Sequence, residues 1–312
     1  MPTTTENQNP VVTTDALTKR YGDRLAVDGV SMTVQRGEVY GFLGPNGAGK
    51  TTTLRMMLGL IRPTSGSATI LGRPSDKPHA ATSVGALIEG PGFYPYLSGR
   101  ANLRVLARQR GLDDIEVERV LERVDLVDRG EDRFKGYSLG MKQRLGVASA
   151  LMGDPELIIL DEPTNGLDPA GMADMRALIV ELARGGQTVL LSSHLLAEVQ
   201  EICHRVGVIN GGCLLRESTV ADLRGGISLR VRATPEADAL AVAMRLAGDD
   251  GVRRTDDGAL LLTLSPDQAP AVTRALVQAG ADVHEITAAE RSLEEVFFEM
   301  TTRGHTSKEH VS

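Results

Sequence analysis

The chain has 312 residues, with 34 Lys+Arg against 41 Asp+Glu, a formal charge of −7, and 41% hydrophobic residues. These are globular proportions, enough for one domain or a large and a small one; they exclude whole-chain disorder and, since no apolar run approaches about 18 residues, a membrane-spanning helix. The acidic balance argues against nucleic acid as a partner, and Cys203, Cys213 and six scattered histidines form no zinc or disulfide pattern, so a cytoplasmic protein with two buried, reduced thiols is expected.

Residues 1–10 are polar, carry no apolar signal core and read as a disordered tail. Short apolar runs separated by turns follow (VVTTDAL, LAVDGVSMTV, GEVYGFLG) and read as strands, with a Gly37-Glu38 turn before the last. After Lys50 the period becomes helical, with Leu54, Met57, Leu58 and Ile61 on one face and Pro63 as the expected stop. SGSATILG reads as another strand. Across 98–153 apolar residues such as Leu103, Leu106, Ile115, Val120, Leu121, Val124 and Leu126 recur at three and four, which predicts helix.

LIIL at 157–160 is a continuous apolar strand, as in a parallel sheet covered on both faces. Helix MADMRALIVELARGG, strand TVLLSS, helix LAEVQEICHRV and strand VGVING continue the alternation. The composition shifts near Arg224-Gly225-Gly226. Beyond it, ISLRVRA, a helix, VRRT, GALLLTL, a second helix and ADVHEIT read as β-α-β-β-α-β, a ferredoxin-like order. Ser292, with Glu295 three residues on, opens a last helix through a capping box. The expected organisation is therefore an α/β domain over 11–225 with a helical part at about 90–153, a small α+β domain over 226–302, and a tail at 303–312.

Residues 44–51 are GPNGAGKT, a phosphate-loop pattern between a β-run and a helix. Gly44, Pro45, Asn46, Gly47, Ala48 and Gly49 form a loop whose glycines let backbone N–H groups converge on phosphates without Cβ clashes. The helix start adds positive potential. Lys50 is expected to neutralise the β- and γ-phosphates, the Thr51 hydroxyl to hold Mg²⁺, and Thr52 to donate to a phosphate. The alternative is a Gly-rich turn with a solvated lysine. LIILDEP then delivers Asp161 and Glu162 at the carboxyl edge of a strand, where α/β sheets bind ligands. Asp161 is expected on Mg²⁺ and Glu162 on the attacking water, although acids ending a strand also serve as plain caps.

YSLGMKQRL (137–145), LDEPTNGLDP after LIIL, and LLSSHLL (190–196) together resemble the ATP-binding cassette (ABC) ATPases over about residues 11–225. The spacing agrees: 88 residues from Lys50 to Ser138, 23 from Ser138 to Asp161, 32 from Glu162 to His194. The resemblance implies a P-loop NTPase core with a helical subdomain, hydrolysing ATP with Mg²⁺. It also implies a head-to-tail homodimer, with ATP between the phosphate loop of one copy and Ser138 and Gly140 of the other. His194 would contact the γ-phosphate and Asp168 would bridge the copies. Tyr21 stands where the family stacks an aromatic on adenine, a contact of roughly 1–3 kcal/mol; a core tyrosine is the alternative.

Two departures from the family pattern stand out. The signature Leu-Ser-Gly-Gly-Gln reads Tyr137-Ser138-Leu139-Gly140-Met141, so the Gln position is lost. No Gln occurs between Gln35 and Gln109, and the loop that usually carries one offers Glu89 instead. IEGPGFYP resembles the bacitracin-resistance and lantibiotic-immunity branch. A carboxylate ligates Mg²⁺ directly where an amide binds weakly, so Glu89 is expected as a metal ligand and γ-phosphate sensor, against a bland reading as an exposed loop acid. LEEVFFEMT (293–301) is similar to the extension of drug- and peptide-exporting ABC ATPases, although Phe297 and Phe298 can equally pack the small domain.

The leading expectation is the ATPase subunit of an exporter with separate integral-membrane permease subunits, peripheral on the inner face of the cell membrane. The alternative is a soluble ABC ATPase of translation or DNA maintenance; the single cassette and net charge of −7 count against it. A GTPase or small-molecule kinase would leave YSLGMKQRL unexplained.

Overall fold

The computed structural model describes residues 10–77, 83–90, 92–224, 228–255 and 257–289. The amino-terminal tail, Ser292 with its capping box, Phe297, Phe298 and the carboxyl-terminal tail lie outside the described residues. The chain divides into two compact units, Met1–Val220 and Ala221–Ser312.

In the first unit a six-stranded sheet runs in the order Cys213–Thr219, Arg205–Asn210, Val39–Leu43, Thr188–Ser193, Leu157–Asp161, Val84–Leu87. Every neighbouring pair is parallel except the first. Val39–Leu43, Leu157–Asp161 and Thr188–Ser193 are buried at every position. That explains their unbroken apolar runs, since a parallel sheet is covered on both faces. Each buried Ile or Leu there contributes about 1.5–3 kcal/mol. A second, antiparallel sheet places Val12–Tyr21 between Arg24–Val30 and Ser65–Ile70. One core, including Leu17, Tyr40, Phe42, Leu54 and Ile70, joins the two sheets.

The phosphate-loop helix spans Lys50–Met57 and stops six residues before Pro63. Gly59 takes φ +68 and its N–H bonds Met56 O, which ends the helix without help from proline. Residues 98–153 supply three helices, Gly99–Gln109, Asp114–Arg123 and Leu139–Leu151. Val124 and Leu126 lie beyond the second helix yet are buried, whereas Ile115, expected on the apolar face, is 80% exposed. Ser98 and Ser138 cap the first and third helices by accepting from Ala101 N and Met141 N. Cys203 is buried as expected; Cys213, at the start of an edge strand, is only half-buried.

The second unit has the element order β-α-β-β-α-β, with strands Ser228–Thr234, Val252–Arg254, Leu260–Leu262 and Asp282–Ala289 and helices Glu236–Ala247 and Ala269–Gln278. Its antiparallel sheet places the first strand between the third and the fourth. Leu229, Val231, Leu260 and Leu262 meet Val242, Val272 and Leu276 in a core of its own.

Candidate active site

Four parallel strands end on one rim, and the residues just after them form the site. Leu43 leads into the phosphate loop, Asp161 into Glu162, Ser193 into His194, and Leu87 into Ile88-Glu89. Register sets the alignment: Leu43 stands opposite Ser193, and Asp161 opposite Ser192.

The loop depends on two glycines. At Gly44 a Cβ would come within 2.3 Å of Ile209 O, so only glycine fits against the neighbouring strand. Gly49 caps the helix at φ +109, and a Cβ there would meet Ala26 O at 2.7 Å. Pro45, Asn46 and Gly47 are exposed at the tip, while Ala48 is buried beneath. Lys50, 6% exposed, folds back: Nζ donates to Gly44 O at 2.6 Å and Pro45 O at 3.2 Å, and lies 3.0 Å from Glu162 Oε1. A cavity of about 200 Å³ opens between Arg24, Asn46, Thr51, Thr52 and Glu162.

Thr51 Oγ1 donates to Asp161 Oδ2 at 2.8 Å, and Ser192 Oγ to Asp161 Oδ1 at 2.5 Å. Ser192 Oγ also accepts from Glu162 N at 3.0 Å. Glu162 itself sits at φ +49, a left-handed conformation costing a non-glycine residue about 1–2 kcal/mol. Its Oε2 lies 2.7 Å from His194 Nδ1. A carboxylate only accepts, so Nδ1 carries the hydrogen of this bond and Nε2 is left for another partner.

Ser138, Gly140 and Asp168 gather elsewhere. They line a second cavity of about 550 Å³ with Leu139 and Leu167, and it shares no lining residue with the phosphate-loop cavity. Ser138 heads its helix and Asp168 caps the next, accepting from Gly171 N at 2.9 Å. Tyr137, the altered first signature position, is buried with its hydroxyl donating to Arg129 O at 2.7 Å. Tyr21 ends a hairpin at 49% exposure with Lys19 Nζ 5.0 Å from its ring centre, so it is not a core tyrosine.

Glu89 is not drawn into the Thr51–Asp161 cluster. It sits at φ +63, exposed, and forms an ion pair with Arg55 on the phosphate-loop helix. Sequence reading missed Ser192 and Arg55. Two serines closing an otherwise apolar buried strand were a usable signal for the first; a cation one turn after Thr51 was one for the second.

The match with known proteins accords with this geometry. The ABC transporter family model matches residues 27–165. An uncharacterised ABC transporter ATP-binding protein of Bacillus subtilis is 41% identical over 298 residues, covering 94% of this chain and 96% of its own. The bacitracin transport ATP-binding protein of Bacillus licheniformis is 39% identical over 300 residues, covering 94% and 98%. Among solved structures, an ATP-binding subunit of an ABC transporter superposes with a TM-score of 0.62 at 30% identity, over 69% of this chain and 92% of that one. The chain belongs to the ABC transporter ATP-binding family and is an ATPase, with the P-loop fold expected from its motifs. Among the described residues no helix is long and apolar enough to cross a membrane.

Proposed function

We propose that this chain powers export of drugs or antimicrobial peptides, hydrolysing ATP as a head-to-tail dimer on the inner face of the membrane, beneath separate permease subunits. The observation carrying the proposal is the division of its site residues between two cavities with no shared wall. Lys50, Thr51 and Glu162 line one, with Asp161 bonded to Thr51 and His194 to Glu162 behind them; Ser138, Gly140 and Asp168 line the other. A second copy turned end to end brings Ser138 and the Gly140 backbone to the γ-phosphate held by the first. The helix start at Ser138 favours that negative charge. Export of a peptide antibiotic rests on the 39% identity with the bacitracin transport protein.

The residues divide the chemistry. Phosphate-loop N–H groups and Lys50 take the β- and γ-phosphates, Thr52 donates a further hydroxyl, and Tyr21 stacks on adenine. Glu162 orients a water and accepts its proton as the oxygen attacks the γ-phosphorus and the bond to the β-phosphate breaks, leaving ADP and phosphate. A positioned base contributes about 10²–10⁴ in rate. His194 Nε2, with Nδ1 tied to Glu162, meets the γ-phosphate. Adjacent oxygens of Thr51 and Asp161, 2.8 Å apart, suit a hard cation. Among the described residues no cluster of three or more His, Cys, Asp or Glu could hold a metal, but Mg²⁺ in phosphate sites needs only one or two protein oxygens. Bound Mg²⁺ would supply charge neutralisation on the phosphates. Glu89 is the residue through which we expect the permease to sense that state.

Light scattering of Glu162→Gln with Mg²⁺ and ATP tests the reading. Doubling of the mass supports it; a protein that stays monomeric even with its permease supplied overturns it. Co-purification of a multi-spanning chain tests the permease, and co-sedimentation with ribosomes instead would point to the soluble alternative.

A further inference from the structure

Glu198 is a buried acid that none of the chemistry above uses. It lies on the helix Leu196–Ile202, four residues after His194, and is 1% exposed. Carboxyl groups are almost never sealed this completely unless something holds them. Ser193 Oγ donates to Glu198 Oε2 at 2.6 Å and accepts from Leu195 N at 3.0 Å, so both neighbours of His194 in the chain are tied to one hydroxyl. The other oxygen, Oε1, is closed off from solvent with no well-formed hydrogen bond among the described residues. Thr164, 2% exposed, carries a hydroxyl that interacts with the same carboxyl. Thr164 stands two residues after Glu162, in a turn closed by Asn165 N on Glu162 O and Leu167 N on Thr164 O, each at 3.1 Å.

Burial pushes the Glu198 carboxyl above the ordinary carboxylate range. The Ser193 and Thr164 hydroxyls pull it back, the nearby Glu162 charge adds to the rise, and Arg176 opposes it.

We infer that Glu198 is a positioning residue for ATP hydrolysis: through Ser193 and Thr164 it joins the strand end that carries His194 to the turn that follows Glu162, and so holds these two side chains at 2.7 Å. The inference rests on the assignment of Glu162 and His194 to the reacting phosphate. The two segments otherwise leave the sheet from adjacent strands and diverge, one toward the cap Asp168 and one into a seven-residue helix. A buried acceptor between them makes their separation a fixed quantity. Misplacing a reacting group by about 1 Å can cost 10²-fold in rate.

The test is steady-state ATPase kinetics of the full-length chain. Glu198→Ala is expected to lower kcat at least tenfold with KM for ATP within twofold, because the phosphate loop is untouched. Glu198→Gln keeps the size and an acceptor oxygen, and is expected to return kcat to within threefold of the starting protein. Ser193→Ala and Thr164→Val should each lower kcat and add nothing to Glu198→Ala. A kcat within twofold in Glu198→Ala, a parallel rise in KM, or a Gln variant as slow as the Ala one overturns the inference. Should Glu198→Ala not fold, Ser193→Ala and Thr164→Val decide: an unchanged kcat in both overturns it. Glu162→Gln in the same assay separates the two levels. Full turnover there removes the base assignment itself; a dead Glu162→Gln beside a normal Glu198→Ala removes only the positioning role.

Discussion

Lys50 Nζ lies 3.0 Å from Glu162 Oε1, and the other oxygen of that carboxylate lies 2.7 Å from His194 Nδ1. One carboxylate thus joins the phosphate-loop cation to the imidazole. On the proposed reading of the site, an arriving γ-phosphate would compete with Glu162 for Lys50 and so free the carboxylate. Lys50→Ala leaves one oxygen of a largely buried carboxylate without its cation, whereas Glu162→Gln leaves Lys50 its two carbonyl partners. In nucleotide-free protein the double variant is therefore expected to lose less stability than the two singles added, by about 0.5–3 kcal/mol. Urea unfolding of the four proteins measures this; strict additivity rules the pairing out.

Arg55 and Glu89 pair across an exposed surface, where an ion pair contributes about 0.2–1 kcal/mol. Glu89→Ala and Arg55→Ala should therefore leave the melting temperature within about 2 °C. Their effect is expected in coupling: Glu89→Ala lowers the stimulation of ATPase by the permease at least threefold. If both ATPase and transport are unchanged in Glu89→Ala, the sensing role assigned to that residue fails.

Glu198 also sets a pH dependence. Its folded-state pKa is raised above the ordinary 4.5, chiefly by burial, so the folded chain holds that proton more tightly than the unfolded chain. The stability it contributes is full below about pH 4.5 and is lost as pH rises through the folded-state value. Glutamine cannot lose that proton. The melting temperature of Glu198→Gln should gain on the parent between pH 4.5 and 8, and a gap that stays level or narrows contradicts the argument.

The two cysteines should react at different rates. Burial, with help from the Glu198 and Glu38 charges, pushes the Cys203 thiol well above its usual range, and the thiolate is the reactive form. Cys213 is half-buried. Ellman's reagent at pH 8 should therefore titrate one thiol in the native protein and a second only in denaturant. Two fast thiols would show that Cys203 is less enclosed than described.

The phosphate loop could be read from the sequence because its chemistry lies in the backbone. Glycine at 44 and 49 records a carbonyl at 2.3 Å and a φ of +109, and those constraints show in the letters. The alternation of strands and helices was equally legible, since a covered parallel strand such as LIIL has little choice but to be apolar. Pairing was not. That Val39–Leu43 lies between Thr188–Ser193 and Arg205–Asn210 depends on contacts far apart in the chain. The role of Ser192 was hidden for the same reason: two serines closing an apolar strand are a signal, but only the pairing sets Asp161 across from one of them. Pro63 misled because Gly59 had already ended the helix. Glu89 resembled a metal ligand in its motif, and only tertiary structure brought Arg55 to its side.

The shared rim has one further consequence. The phosphate loop, Glu162 and His194 hang from the ends of adjoining strands, so their mutual distances are counted in whole residues of pairing. A slip of one step along Leu157–Asp161 would carry Glu162 by about 3.3 Å and turn its side chain to the opposite side of the sheet. Catalytic precision here is thus an integer property of the chain, and a single inserted residue within any of these strands would do more damage than most substitutions in the site itself.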